Sequence, residues 1–365
     1  MKRFLSGMVA ISMAAILLLP VQVSAVSAQN AIVLDAQTGE VLFEKNPDRR
    51  GLIASTTKIM TALLICEQCN VLDRMKIPKE AVGIEGSSMY LKEGEVLTLQ
   101  ELLYGLMLHS GNDAAVALAI YCGGTVEGFV QMMNDKAHRL GLTHTHFENP
   151  NGLDSRDHYS TARDLAALAV YAMENPIFSK IVSTKSVKIG DRYLNNHNKL
   201  LWQVEGADGI KTGYTRAAGR ILVSSATRDG RRLIAVTMDA PNDWTDHAAL
   251  LNDGFSRFVY RDVLSDGDCL GTVHVIGGQT GQVPLIACDS FSYPLAEGEE
   301  IEIVLPKSSF VYAPVVFGQD AGYAFLRLGK KTIGKIRLCY GNTVELEREQ
   351  PKPSLIKRLL GGICP

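Results

Sequence analysis

One short stretch, residues 54–64 with the sequence ASTTKIMTALL, constrains this chain more than any other. Ser55 and Lys58 are three residues apart, and on a helix that spacing places two side chains on one face. The apolar residues that follow recur at helical spacing without Gly or Pro, so we predict a helix that begins near Ser55, with Ser55 as its cap. A serine hydroxyl becomes a strong nucleophile only when a base takes its proton, and a lysine is such a base only when burial or a second cation lowers its pKa. The stretch therefore predicts a nucleophile with its base, and it requires another cation nearby.

The S-x-x-K spacing alone is weak support for catalysis, because it recurs at Ser354 and Lys357. Two companion motifs strengthen the interpretation, Ser110-Gly111-Asn112 and Lys211-Thr212-Gly213, and the S-x-N and K-T-G patterns each occur once. The three motifs resemble those of the penicillin-recognising serine acyl-transferases, which are S-x-x-K, S-x-N or Y-x-N, and K-T-G.

Within that superfamily, residues 31–42, 54–61 and 109–114 are similar to the low-molecular-mass D-alanyl-D-alanine carboxypeptidases. The resemblance covers residues 30–262 strongly and the rest only by architecture. It implies an exported enzyme that removes the terminal D-alanine from peptidoglycan stem peptides, that is acylated by β-lactam antibiotics, and that needs no bound cofactor or metal.

The resemblance also implies the roles of the motif residues. Ser55 would attack the carbonyl carbon between two D-alanines, Lys58 would accept its proton, and Ser110 would pass a proton to the departing D-alanine. The backbone N–H groups of Ser55 and Tyr214 would form the oxyanion hole. The predicted substrate-binding residues are Asn112, Lys211, Thr212, Gly213, Tyr214, Thr215 and Arg220.

The site for the terminal carboxylate is predicted less directly. Some family members carry an arginine shortly after the strand that follows K-T-G, but residues 241–247 contain none. We therefore predict that Thr212 and Thr215 supply hydroxyl groups and Arg220 supplies the charge, with Arg216 as the alternative cation.

Two other functions stay open at this point. One is a serine β-lactamase, for which Glu148 would be the deacylating carboxylate, although residue 152 is Gly where that family's E-x-x-x-N pattern requires Asn. The other is a catalytically idle protein that binds cell wall in the same groove. His109, beside the second motif, is interpreted as a packing or hydrogen-bonding residue, because the lysines already supply the base.

The first residues resemble a secretory signal, since Met1-Lys2-Arg3 precedes an apolar run from residue 8 to residue 19. We assign residues 1–28 to it, with the mature chain beginning at Val26 or Gln29; an uncleaved anchor is the alternative, although the run is short for a spanning helix. A net charge of −2 gives no indication of nucleic-acid binding.

Seven cysteines leave at least one unpaired in an exported chain. Cys66 and Cys69 form one C-x-x-C pair without a second pair or a His pair at metal-binding spacing, so we interpret them as buried or incidental thiols.

Periodicity predicts a mixed architecture. Residues 30–262 are predicted to form one α/β (α+β) domain, in which an antiparallel sheet is flanked by helices around a helical middle. Its N-terminal hairpin, 31–35 and 40–44, is predicted to supply edge strands, and a helix is predicted over 243–260. Residues 263–350 alternate in short runs and predict a small all-β domain for docking or spacing. Residues 351–365 predict a short basic amphipathic tail with weak contact to a membrane surface.

Overall fold

A computed structural model describes residues 26–306 and 310–348 of the chain. Contacts divide the chain into two units, residues 1–255 and 256–365. Most of the predicted signal sequence and the whole predicted tail lie outside the described residues, so both stay predictions, as does the assignment of residues 30–262 to one catalytic domain. The mixed α/β class with a β-rich C-terminal part is confirmed.

The first unit combines nine strands with eight α-helices among its described residues, beside two short 3₁₀ turns. The strands are β1 (Asn30–Asp35), β2 (Val41–Lys45), β3 (Arg74–Lys76), β4 (Val96–Thr98), β5 (Ser186–Ile189), β6 (Arg192–Asn195), β7 (Ala207–Thr215), β8 (Gly219–Arg228) and β9 (Arg231–Met238). The helices are α1 (Lys58–Gln68), α2 (Leu99–Leu108), α3 (Asn112–Gly123), α4 (Val126–Arg139), α5 (Ala162–Glu174), α6 (Pro176–Val182), α7 (Leu200–Gln203) and α8 (Asp243–Arg257).

An antiparallel five-stranded sheet in the order β2-β1-β9-β8-β7 organises this unit. Alternate residues point to opposite faces of a strand, and on β1 the side chains of Ile32 and Leu34 join the core under the helices α1 to α6. Val33 points to the other face, where α8 packs; there Gly254 is so close to Leu233 that a Cβ would lie 2.8 Å from its Cδ1. In this strand order β7 is last, so it is an edge strand, and it carries the third motif.

Helix boundaries follow the local sequence closely. Thr98 caps α2 in a capping box with Glu101, and Thr161 caps α5 by accepting a hydrogen bond from the Asp164 N–H. The helix α5 ends at Glu174, immediately before Asn175 and Pro176, because a residue that precedes proline disfavours the helical conformation.

Two structural predictions are wrong. β1 is an interior strand with all six residues buried, because it pairs with both β2 and β9; only β2 of the predicted hairpin is an edge strand. The predicted helix over 243–260 ends at Arg257, and Val259 and Tyr260 begin a strand of the second unit instead. A short apolar run fits either period, and tertiary pairing decides between them.

Beyond the end of α8 at Arg257, the regular elements of the second unit are all strands among its described residues. They are β10 (Val259–Leu264), β11 (Cys269–Ile276), β12 (Gln282–Ala287), β13 (Phe291–Leu295), β14 (Ile301–Val304), β15 (Phe310–Tyr312), β16 (Asp320–Leu328) and β17 (Lys331–Tyr340). β10 pairs with β13, and the others form a six-stranded sheet in the order β14-β16-β17-β12-β11-β15. Val283, Leu326 and Leu338 are fully buried in its core.

The cysteines divide between the two units. Cys288 and Cys339 are joined by a disulfide in the β-rich unit. Cys66 and Cys69 are free thiols near the end of α1, and burial raises the pKa of each to about 12. Both are partly buried, and a thiol with so high a pKa is unreactive at neutral pH, in line with the interpretation of this pair as buried or incidental thiols.

His247 on α8 makes the stability of the first unit depend on pH. Its ring is fully buried, with Ser224 Oγ 2.6 Å from Nδ1 and Thr237 Oγ1 2.9 Å from Nε2, and burial lowers its pKa to about 3. The unfolded chain takes up a proton at His247 near pH 6.5 and the folded protein does not, so the stability that neutral His247 contributes is complete above that pH and is lost as the pH falls toward 3. We expect His247→Gln to reduce the slope of the unfolding free energy against pH by about 1.4 kcal/mol per unit between pH 6 and 4. Urea melts across this range would measure it, and an unchanged slope would contradict the assignment.

Candidate active site

The first motif forms a tight turn at the start of α1. Residues Ala54–Thr57 make one 3₁₀ turn, and α1 continues it from Lys58. The predicted pairing is present, since Lys58 Nζ lies 2.9 Å from Ser55 Oγ. The predicted capping role of Ser55 is wrong, because no side chain caps either helical segment there. Ala54 has a positive φ of 44°, a conformation that strains a residue with a Cβ and that occurs often at functional sites.

Lys58 is enclosed by acceptors. Its side chain is fully buried, and Nζ lies 2.7 Å from Asn112 Oδ1 and 2.5 Å from the Asn151 carbonyl oxygen. Burial, followed by the charge of Lys211, holds the pKa of Lys58 well below its ordinary value, while Asp113 acts in the opposite direction. A neutral amine has two hydrogens and one lone pair. In its neutral form, the amine that donates both hydrogens to Asn112 and Asn151 would direct its lone pair at the Ser55 hydroxyl.

The second motif bridges α2 and α3. Ser110 is buried with a positive φ of 62°, and Asn112 is the first residue of α3. Asn112 Nδ2 donates to the Glu85 carbonyl oxygen at 2.5 Å, which leaves its Oδ1 to accept from Lys58. The orientation of the amide is therefore fixed by contacts on both sides.

Asp113 holds the neighbouring segment in place. Its buried carboxylate accepts hydrogen bonds from the Met89 and Leu91 N–H groups, both at 3.0 Å, and from Ser88 Oγ at 2.6 Å. Residues 85–91 are thus fastened beside Ser110, where Ser87 lines the central cavity.

The third motif faces the nucleophile from the edge strand β7. Lys211 is 1% exposed, its Nζ donates to the Thr212 carbonyl oxygen at 2.9 Å, and burial lowers its pKa to about 7. Gly213 packs against the nucleophile turn so closely that a Cβ there would lie 3.3 Å from the Ser55 nitrogen and from the Ala54 Cβ. The required second cation is therefore present.

The three motifs open into one cavity of about 550 Å³. That volume is within the range of sites that hold a small ligand. Its lining residues are Ser55, Ser87, Ser110, Asn196, His197, Lys199, Thr212, Gly213, Tyr214, Arg220, Asp243 and Trp244.

Two of the predicted carboxylate ligands are already engaged. Arg220 donates through Nε and Nη2 to Asp243 Oδ1, at 3.0 and 2.9 Å, and its guanidinium lies 5.6 Å from the centre of the Trp244 ring. The Thr215 hydroxyl donates to Asp154 Oδ1 at 3.0 Å and accepts from the Ala218 N–H at 2.9 Å. Lys199, which the sequence did not single out, is exposed at the cavity wall.

His158 stabilises the nucleophile turn through a hydrogen bond to Thr57. The Glu148 N–H donates to His158 Nδ1 at 3.0 Å, so Nε2 carries the proton and donates to Thr57 Oγ1 at 2.7 Å. Thr57 in turn donates to the Ala54 carbonyl oxygen at 2.8 Å. Burial lowers the pKa of His158 to about 4, so the ring stays neutral and the chain of hydrogen bonds keeps this direction.

The two other titratable residues that the sequence raised as candidates, Glu148 and His109, do not line the cavity that holds the three motifs. The Glu148 carboxylate accepts from Ser155 Oγ and does not line the cavity. His109 packs its ring 5.1 Å from that of His197, as a packing role predicts, and its Nδ1 has no hydrogen-bond partner among the described residues.

Comparison with known proteins agrees with this geometry. Residues 19–242 match the family model described as D-alanyl-D-alanine carboxypeptidase, and residues 258–346 match that of the C-terminal domain of penicillin-binding protein 5. The chain belongs to the D-alanyl-D-alanine carboxypeptidase family.

Relatives within this family match over most of their length. The D-alanyl-D-alanine carboxypeptidase DacF of Bacillus subtilis is 33% identical over 82% of this chain and 81% of its own. DacC of Escherichia coli is 33% identical over 89% of this chain and 86% of its own. Penicillin-binding protein 5 of Haemophilus influenzae has a solved structure that is 31% identical and covers 88% of this chain and 98% of its own, with a TM-score of 0.73.

Proposed function

We propose that this protein is a serine D-alanyl-D-alanine carboxypeptidase that trims the terminal D-alanine from peptidoglycan stem peptides through an acyl-enzyme on Ser55. One observation carries the proposal: a fully buried lysine amine 2.9 Å from Ser55 Oγ, with two acceptors for its two hydrogens. This arrangement activates a hydroxyl for attack on a carbonyl carbon. β-Lactams carry a reactive amide carbonyl and would acylate the same oxygen.

Acylation follows from the contacts of Ser55 and Lys58. Ser55 Oγ bonds to the carbonyl carbon of the penultimate D-alanine while its proton passes to Lys58 Nζ. The negative charge that develops on the carbonyl oxygen would be stabilised by the backbone N–H groups of Ser55 and Tyr214, which belong to the two segments that Gly213 brings together.

Collapse of this intermediate breaks the C–N bond, and the leaving amine of D-alanine needs a proton. Ser110 lines the cavity with Ser55 and would relay that proton from Lys58. Water then attacks the ester, the bond to Ser55 Oγ breaks, and the serine recovers its proton through Lys58. Asn112, whose Nδ2 is directed to Glu85, would act mainly by orienting Lys58.

The terminal carboxylate of the substrate needs a cation and a hydroxyl beside Ser110. Arg220 already shares its charge with Asp243, so we infer that Lys211 and the exposed Lys199 supply the charge and Thr212 the hydroxyl. Arg220 then shapes the cavity wall rather than binding the carboxylate itself.

Two assays test the proposed function. The protein should release D-alanine from diacetyl-L-lysyl-D-alanyl-D-alanine, and a fluorescent penicillin should label it covalently. Labelling without peptide turnover but with rapid loss of the label would identify a β-lactamase instead. Neither labelling nor turnover would leave the idle binding protein as the function.

The rate of acylation is expected to have a bell-shaped pH profile. On the acidic limb the rate rises as Lys58 loses its proton, because only the neutral amine is a base. On the alkaline limb the rate falls above about pH 7, because Lys211 loses its charge. A bound carboxylate favours charged Lys211, so the alkaline limb of kcat should lie at higher pH than that of kcat/KM. Lys211→Arg keeps the charge at every pH tested and should remove the alkaline limb from whatever activity remains. An unchanged limb in that variant would contradict the assignment.

We propose an extracytoplasmic location, as the sequence predicts. Val26 and Ala28 are buried, and Ser27 Oγ donates to Asp246 Oδ2 at 2.7 Å. These contacts support the earlier of the two predicted cleavage positions, which keeps all three residues in the mature chain. Weak attachment to a membrane surface through residues 351–365 remains part of the proposal.

No single helix within the described part of the chain has both the length and the apolar character to cross a bilayer. Two pairs of consecutive helices meet these two criteria when each pair is taken together, but both pairs are sharply bent.

A further inference from the structure

A second, smaller cleft lies beside the nucleophile segment, with a volume of about 190 Å³. That volume is below the range of sites that enclose a whole small ligand, so the cleft suits one part of a larger molecule. Arg49, Arg50 and Leu52 line one side, and Ala217 and Ala218, from the turn between β7 and β8, line another. Leu52 precedes Ser55 by three peptide units, which places their Cα atoms at most about 11 Å apart.

The cleft has a net positive charge. Arg49 and Arg50 are exposed, and neither forms an ion pair with a carboxylate of residues 26–306 or 310–348. Asp239 is the acidic residue of the lining and offsets one of the two charges. The guanidinium of Arg50 lies over the Tyr159 ring, 4.7 Å from its centre, which restricts its motion before any ligand arrives.

A buried polar group in the lining lacks a partner. Asn30 is 5% exposed, it lines the cleft, and its Oδ1 accepts no hydrogen bond among the described residues. An unsatisfied buried amide oxygen is costly, and a ligand N–H group would relieve that cost. The cleft therefore combines two cations for an anion with an acceptor for an amide hydrogen.

The bound stem peptide is expected to extend from Ser55 toward this cleft, an orientation that rests on the proposed function. The leaving D-alanine faces Ser110, with its carboxylate toward Lys211 and Thr212. The amino-terminal part of the stem peptide must then leave on the opposite side of the scissile carbonyl, along β7 toward Thr215. The turn that follows carries Ala217 and Ala218, which belong to the cleft.

We propose that this cleft is a specificity subsite for the free α-carboxylate of the γ-linked D-glutamate in the stem peptide. That residue offers a carboxylate next to an amide N–H, two residues before the D-alanine whose carbonyl is attacked. Arg49 and Arg50 bind the carboxylate, and Asn30 accepts the hydrogen bond from the amide.

Three substrates test the proposal: diacetyl-L-lysyl-D-alanyl-D-alanine, the pentapeptide L-alanyl-γ-D-glutamyl-L-lysyl-D-alanyl-D-alanine, and the same pentapeptide with the glutamate α-carboxylate converted to an amide. The unmodified protein should prefer the acidic pentapeptide to the amidated one by about tenfold in kcat/KM, as one charge-assisted contact provides. Arg49→Gln/Arg50→Gln should abolish this preference and leave turnover of the short substrate within twofold.

The matched control is Lys185→Gln/Lys188→Gln, which removes the same two positive charges. Both lysines are exposed and lie over aromatic rings, 5.7 Å from the centre of Trp202 and 5.0 Å from that of Tyr193, but they are outside the cleft. This variant should leave the preference intact, which separates local recognition from a change in net charge. If Arg49→Gln/Arg50→Gln lowers kcat/KM equally on all three substrates, or on none of them, the cleft is not a subsite for the carboxylate. Failure of the unmodified protein to turn over the short substrate would instead overturn the proposed function.

Discussion

Ser55→Ala is expected to abolish both the covalent penicillin adduct and the release of D-alanine. The variant removes the only atom that forms the acyl bond and leaves Lys58 with no hydroxyl to deprotonate. A residue that forms part of a catalytic unit commonly accounts for the whole rate enhancement of that unit, so we expect turnover to fall by at least about 10³-fold. Intact-protein mass spectrometry after incubation with penicillin measures the adduct directly, and an adduct retained at full stoichiometry would rule out Ser55 as the nucleophile.

The fold of this variant should be unaffected. Ser55 caps no helix, and among the described residues its hydroxyl makes one hydrogen bond, the 2.9 Å contact with Lys58. Losing a capping serine costs about 1 kcal/mol, and losing Ser55 should cost less. A melting temperature within a few degrees of the unmodified protein therefore accompanies the loss of labelling, and reversible penicillin binding should persist in the cavity.

The three motifs could be predicted from the sequence because their geometry depends on local spacing or on a repeated pattern of side chains. The separation of Ser55 from Lys58 sets their distance on a helical turn, and the strands that carry Lys211 follow from alternation and turn residues. The position of β1 could not be predicted in the same way, because its sequence NAIVLD is a nearly continuous apolar run and indicates an interior strand as readily as one half of an edge hairpin. Pairing with β9, about two hundred residues later, decides that question.

The supporting groups of the site could not be predicted in this way. The acceptor for Lys58 at residue 151 is a backbone carbonyl, which every residue type supplies, so no side chain marks it. His158 reaches Thr57 across a separation of 101 residues. The position of Arg220 after the third motif predicts a role in substrate binding, but its charge is shared with Asp243, a partner that only the packing of α8 against the sheet reveals. Local patterns identify reactive groups, whereas the groups that orient them depend on tertiary contacts.

Gly152→Ala is expected to inactivate the protein without touching any reactive side chain. Gly152 has a positive φ of 88°, and a Cβ there would lie 1.9 Å from the Ala54 carbonyl oxygen and 3.0 Å from the Ser55 nitrogen. Both contacts are with backbone, so the loop or the nucleophile turn must move. Movement of either segment separates the Asn151 carbonyl from Lys58 Nζ and frees one amine hydrogen that now needs a partner.

A control separates this steric effect from the strain of a positive φ. Gly141 has a φ of 71°, and a Cβ at that position would meet nothing within 4 Å. Gly141→Ala should therefore lose about 1 kcal/mol of stability from backbone strain alone and retain full acylation. For Gly152→Ala we expect acylation by penicillin to slow at least about 100-fold, since a shift of about 1 Å in a catalytic group has that effect. Stopped-flow acylation and thermal melts of both variants measure the two effects. If Gly152→Ala acylates as fast as Gly141→Ala, the Asn151 carbonyl is not needed to hold Lys58, and the neutral-amine arrangement depends on Asn112 alone.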